Sequence, residues 1–136
     1  MENNSLATFK FEKPIIYVTF IGNEATDESF EEYTQLSNKA YEWKRYGMIY
    51  DVSKMKYLPA KYRIIQGNDI QKKENEIRQQ SIGLAIIAPS FVQRIITEAV
   101  FAINAYPSKL KVFKTKEKAI QWMNELLEAE DQEKLV

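Results

Sequence analysis

The stretch Met48–Arg63, MIYDVSKMKYLPAKYR, gathers the groups of this chain best suited to chemistry: the carboxylate of Asp51, the hydroxyl of Ser53, the ammonium groups of Lys54 and Lys56, and the phenols of Tyr57 and Tyr62. Such a set could build a charged pocket or a phosphorylation switch, in which new charge is placed on a hydroxyl. It could also be a plain strand-to-helix junction, with Asp51 accepting backbone N–H groups and Ser53 closing a turn. The rest of the inventory narrows the chemistry. Histidine and cysteine are absent, which removes Ser-His-Asp and Cys-His nucleophiles, histidine-ligated zinc and thiolate metal sites. The four glycines, Gly22, Gly47, Gly67 and Gly83, are too far apart for a dinucleotide fingerprint or a phosphate-binding loop. Carboxylate pairs occur at Glu31-Glu32 and Glu74/Glu76, on helix faces expected to be solvated. No catalytic group, cofactor or metal is therefore expected.

Charge excludes partners as well. Lys plus Arg and Asp plus Glu number 19 each, so no global field draws the chain to nucleic acid or to an acidic membrane. Lys61, Arg63, Lys72, Lys73 and Arg78 lie near tyrosines, but Asp69, Glu74 and Glu76 interrupt them, and a phosphate footprint needs a continuous basic face. The longest apolar run, Ile82–Ala88, is far below the roughly 20 residues of a membrane span. The N-terminal residues show no basic and apolar leader pattern. A cytoplasmic location and no membrane insertion are the expectations.

The elements that must position these groups follow from periodicity. With 136 residues, 45% of them hydrophobic, the chain suits a single domain with its own core, ordered over about residues 6–128 and ending in an acidic tail expected to fray. LATFKFE and IIYVTFIG, separated by Lys13-Pro14, read as a hairpin. Thr26 caps a helix that carries Phe30, Tyr33, Leu36, Ala40 and Trp43 on one face and is expected to end at Gly47. MIYDV is a third strand, and the helix after Pro59 has no coherent apolar stripe, with a break expected at Gly67. That charged helix beside the Asp51 loop suits a mobile lid or docking surface. SIGLAIIA is an apolar central strand, Pro89 and Ser90 open a third helix, KLKVF is a last strand, and Thr115 caps a final helix with Ala119, Ile120, Trp122, Met123, Leu126 and Leu127 on one face. The fold class is thus α/β: a mixed sheet of about five strands, an N-terminal hairpin followed by alternating β and α, with four helices.

The third helix, FVQRIITEAVFAINAY, has an apolar arc wider than sheet packing needs. Phe91, Ile95, Ala99, Ala102 and Tyr106 form one flank, and Val92, Ile96, Val100 and Ile103 extend it. Phe101 falls outside the arc, on the side expected to be wet. Three explanations stay open: plain burial, a homodimer contact, or the wall of a lipid-sized cavity.

Taken together, the hairpin, the capped helix, the strand ending in YDVS, the GLAIIA strand and the closing run KLKVFKTKEKAIQWM resemble STAS domains, most of all the small SpoIIAA-like branch named after the anti-sigma-factor antagonist. The resemblance spans about Phe9 to Leu127 and implies a mixed sheet with helices mainly on one side, and a role in protein regulation or ligand sensing. In the antagonists a partner kinase phosphorylates a serine at the start of the helix after the Asp-containing strand. Here the matching Asp-Ser positions fall on Pro59 and Ala60, and neither accepts a phosphate. Two functions follow as expectations. One is a non-catalytic, STAS-like interaction module without the phospho-switch, binding a protein partner or a second copy of itself. The other is a binding protein for a small apolar or amphipathic ligand. Candidate contact residues for either are Asp51, Ser53, Lys54, Tyr57, Tyr62 and Phe101.

Overall fold

The computed structural model describes residues 2–56, 58–103 and 105–135, with the side chains of Glu2, Ala99, Val100, Ala102, Ile103, Lys134 and Leu135 outside that description. Six strands form one sheet: β1 (Glu2–Asn3), β2 (Ala7–Glu12), β3 (Ile15–Phe20), β4 (Tyr46–Asp51), β5 (Ser81–Ile87) and β6 (Leu110–Phe113). Their spatial order is their chain order. β1, β2 and β3 pair antiparallel, and β3 to β6 run parallel. Parallel neighbours need crossovers, and these are the helices α1 (Asp27–Tyr41), α2 (Ala60–Lys72) with α3 (Glu74–Gln80), and α4 (Phe91–Ile103); α5 (Lys116–Leu135) follows β6.

Side chains alternate between the sheet faces with period two. Phe9, Ile16, Val18, Phe20, Met48, Leu84 and Ile86 pack toward Phe30 and Tyr33 of α1 and Tyr62 of α2. Ile15, Ile49, Ala85 and Ile87 point the other way, onto Ala119 and Met123 of α5. β5 is buried along its whole length, as expected of a strand covered on both faces.

Several helix ends match their sequence signals. Thr26 Oγ1 accepts from Ser29 N at 3.0 Å while Ser29 Oγ accepts from Thr26 N at 2.8 Å, a reciprocal cap. Ser90 Oγ accepts from Gln93 N at 3.0 Å, and Thr115 Oγ1 from Lys118 N at 3.3 Å.

Other expectations are corrected. Among the described residues there are five helices, because the segment after Pro59 divides at Lys73, whose φ of −99° and ψ of 9° leave the helical region. Gly67 does not break α2; the adjoining Gln66 is anchored by its bond to Tyr33 Oη at 3.2 Å. α1 stops at Tyr41 rather than at Gly47. The left-handed turn falls on Arg45, with φ of 51°, and Gly47 lies inside β4, where Met123 occupies the space a side chain would need. The acidic tail is helical to Leu135, fastened by an ion pair between Arg45 and Glu130. The ordered chain also begins before residue 6: the Asn4 side chain is buried, donating to Ser29 O at 3.1 Å and accepting from Leu6 N at 2.9 Å.

Candidate functional site

The Asp51 junction is built as a turn. Asp51 ends β4, between β3 and β5, and its Oδ1 accepts the Ser53 N–H at 2.9 Å. Ser53 and Lys54 are exposed beyond it. Gln93 of α4 reaches down with Nε2 to the carbonyls of Ser53 at 3.2 Å and Val52 at 3.4 Å. The junction therefore ties the start of α4 to the end of β4.

Tyr62 is a core residue: its ring is buried 4.8 Å from that of Phe30. Its hydroxyl donates to Asp27 Oδ1 at 2.6 Å, which also pairs with Lys61 Nζ at 2.8 Å. The bonds from Lys61 and then Tyr62 hold the Asp27 carboxyl below its usual range. This cluster fastens the start of α2 to the start of α1. Tyr57 lies outside the described residues.

Phe101 corrects the expectation that it faces solvent. It is partly buried against the main core and meets Tyr106 edge-on, with ring centroids 6.2 Å apart. Of the three explanations for the apolar arc, plain burial does not hold for its first two turns: Phe91 is 68% exposed, Val92 63%, Ile95 49% and Ile96 57%. The remaining side chains of that arc, Ala99, Val100, Ala102 and Ile103, lie outside the described set. The reason is the anchoring of the helix. Gln93 is held to the β4 loop, while Arg94 donates to the carbonyls of Ala88 and Pro89 at 3.2 and 2.8 Å. Residues 93, 97 and 101, spaced by four, share a helix face, so fixing Gln93 inward brings Thr97 and Phe101 in and turns the apolar flank out.

Between α2, α4 and the sheet lies a cavity of about 340 Å³. Its floor is Phe20, Met48, Tyr50, Leu84 and Ile86; the loop after β4 contributes Val52, Met55, Lys56 and Leu58, α2 Arg63, Gln66 and Ile70, and α4 Gln93, Ile96, Thr97 and Phe101, and Tyr41 and Tyr106 complete the wall. Polar groups are few. Tyr33 Oη donates to Tyr50 Oη at 3.4 Å and receives Gln66 Nε2. Burial raises the hydroxyls of Tyr41 and Tyr50 well above their ordinary value, with the neighbouring phenols adding to the effect. It pushes Tyr106 up to about 12, opposed by the nearby Ser81. The Tyr106 and Ser81 hydroxyls do not meet at hydrogen-bonding geometry, and each is buried without a partner among the described residues.

Of the five sequence candidates among the described residues, Phe101 alone lines this cavity. Asp51, Ser53 and Lys54 form the junction at its edge, and Tyr62 belongs to the α1–α2 contact. In the sequence the floor residues show only as strand core, because a period-two pattern gives the face a residue points to and not the distance to the helix above it. The nearest signal was the weak amphipathicity of α2, which leaves Ile64 and Ile65 exposed.

No group of three or more acidic residues that could hold a metal occurs among the described residues, and none of their helices is long and apolar enough to cross a membrane. No protein-family model matches the chain, and no curated protein matches it significantly. Among solved structures it is similar to an uncharacterized protein of the DUF3478 family with a SpoIIAA-like fold, from Shewanella loihica PV-4. The two share 18% identity and a TM-score of 0.60, over 90% of this chain and 98% of that one. The likeness is one of architecture, and it agrees with the strand order, the parallel crossovers and the hairpin described above: the chain folds as a SpoIIAA-like α/β domain.

Proposed function

We propose that this protein is a non-catalytic binding protein for a small amphipathic ligand held between α2, α4 and the sheet. The observation that carries this reading is the cavity of about 340 Å³ with its largely apolar, aromatic wall and a few hydroxyl and amide groups. That is the size and make-up of ordinary small-molecule sites. The absence of histidine and cysteine from the sequence supports binding over chemistry.

A second reading has its own support. The open apolar flank of α4, Phe91, Val92, Ile95 and Ile96, suits an interaction module whose partner is a second copy of the chain. Native mass spectrometry of the untagged protein separates the two. The binding reading expects a monomer that keeps extra mass of about a few hundred daltons, the size class such cavities hold. A clean dimer without added mass would replace it with the interaction reading.

A further inference from the structure

We infer that the ligand is a single-chain amphiphile with an anionic head of the alkyl carboxylate type, its head at Lys56 and Arg63 and its chain along β4 and β5. This rests on the ligand-binding reading above and adds the class of ligand. The cavity wall carries two charged residues, Lys56 and Arg63, and no Asp or Glu joins them among the described residues. The chain as a whole is balanced at 19 charges of each sign, so an all-cationic lining is a local property of the site.

Both cations lie at one end. Lys56 belongs to the loop that leaves β4, and Arg63 to the first turn of α2, where its Nε donates to Leu58 O at 3.0 Å and holds the guanidinium at the rim. Lys61 of the same turn is committed to Asp27. At the amino end of α2, the N-cap Pro59 supplies no side-chain acceptor, so the positive end of the helix dipole adds to the same field. The opposite end of the cavity is marked by Tyr41 and Tyr106, which precede the amino ends of β4 and β6, and by Ile70 in the second half of α2. Between the ends run Met48, Tyr50 and Val52, spanning about 13 Å of strand, beside Leu84 and Ile86. A slot that is cationic at one end and apolar along its length selects a molecule with the complementary polarity. Apolar surroundings strengthen the attraction at the rim.

Calorimetric titration of the full chain at low salt with dodecanoate, dodecanol, dodecyltrimethylammonium and dodecyl phosphate tests this. Dodecanoate is expected to bind about fivefold more tightly than dodecanol, the upper end of what one partly exposed ion pair supplies, with the trimethylammonium compound weakest. Lys56→Glu, and more mildly Lys56→Gln, should weaken dodecanoate and leave dodecanol unchanged; Lys56 is an exposed loop residue, so both variants keep the fold. Equal binding of dodecanol and dodecanoate, or variants that weaken both alike, would overturn the anionic head while leaving the ligand-binding reading standing. Dodecyl phosphate outbinding dodecanoate would overturn the carboxylate assignment. Failure of every probe to bind would overturn the ligand-binding reading itself.

Discussion

A methyl group added at Gly47 would run into the Met123 thioether, and one at Gly83 would sit 2.8 Å from Leu126 Cδ1 and 3.2 Å from Trp122 Cη2. These glycines let α5 approach the sheet closely. Gly47→Ala and Gly83→Ala are each expected to destabilise the fold by about 1–3 kcal/mol, the usual effect of overpacking, measured as a lower midpoint in urea at unchanged slope. The tyrosines give a second prediction. Burial raises the hydroxyls of Tyr33, Tyr41, Tyr50 and Tyr106 in the folded state, above the unfolded value of about 10. Their neutral forms therefore contribute stability that is full below about pH 10 and lost as pH rises toward the folded values. Near-ultraviolet titration should show these phenols ionising together with alkaline unfolding, and smooth titration of every tyrosine in a still-folded protein would contradict it. Asp27 has the opposite sign. Its lowered value gives a contribution complete above the ordinary carboxylate range near 4 and lost as pH falls through the folded value.

The helices differ in how they are held. α1 is capped and rooted by Phe30 and Tyr33, and α5 by Ala119 and Met123, whereas α2 and α4 stand over the cavity on a few polar ties and one ring each, Tyr62 and Phe101, against the core. The α2 tie is Tyr62 and Lys61 to Asp27 with Gln66 to Tyr33; the α4 tie is Gln93 and Arg94 to loop carbonyls. Amide exchange is accordingly expected to be faster in α2 and α4 than in β4 and β5, and Tyr62→Phe should speed it in α2 above all. Equal protection in all four elements would refute that ranking. Helix starts were legible because caps are local: Thr26, Ser90 and Thr115 each announce one. Helix ends were not. The turn before β4 uses Arg45 in a left-handed conformation, and Gly47 was needed elsewhere by contact with Met123, a partner 76 residues further along the sequence.

At the scale of the molecule, the hairpin, the alternating order and the doubly covered β5 could be read from periodicity, and the SpoIIAA-like resemblance agrees with the solved neighbour. The rotation of α4 and the cavity could not. Both depend on distances between elements, set by Gln93 reaching Ser53 and by how far α2 stands from Met48 and Leu84. The placement of α5 has a further consequence in the order of synthesis. α5 is made after every strand it covers, so a nascent chain that has already paired β3, β4 and β5 carries Ile15, Ile49, Ala85 and Ile87 bare on one side. Until the residues of α5 leave the ribosome, that surface is open to other chains. This face is thus at its most vulnerable to misassembly in the interval between the emergence of β5 and that of α5.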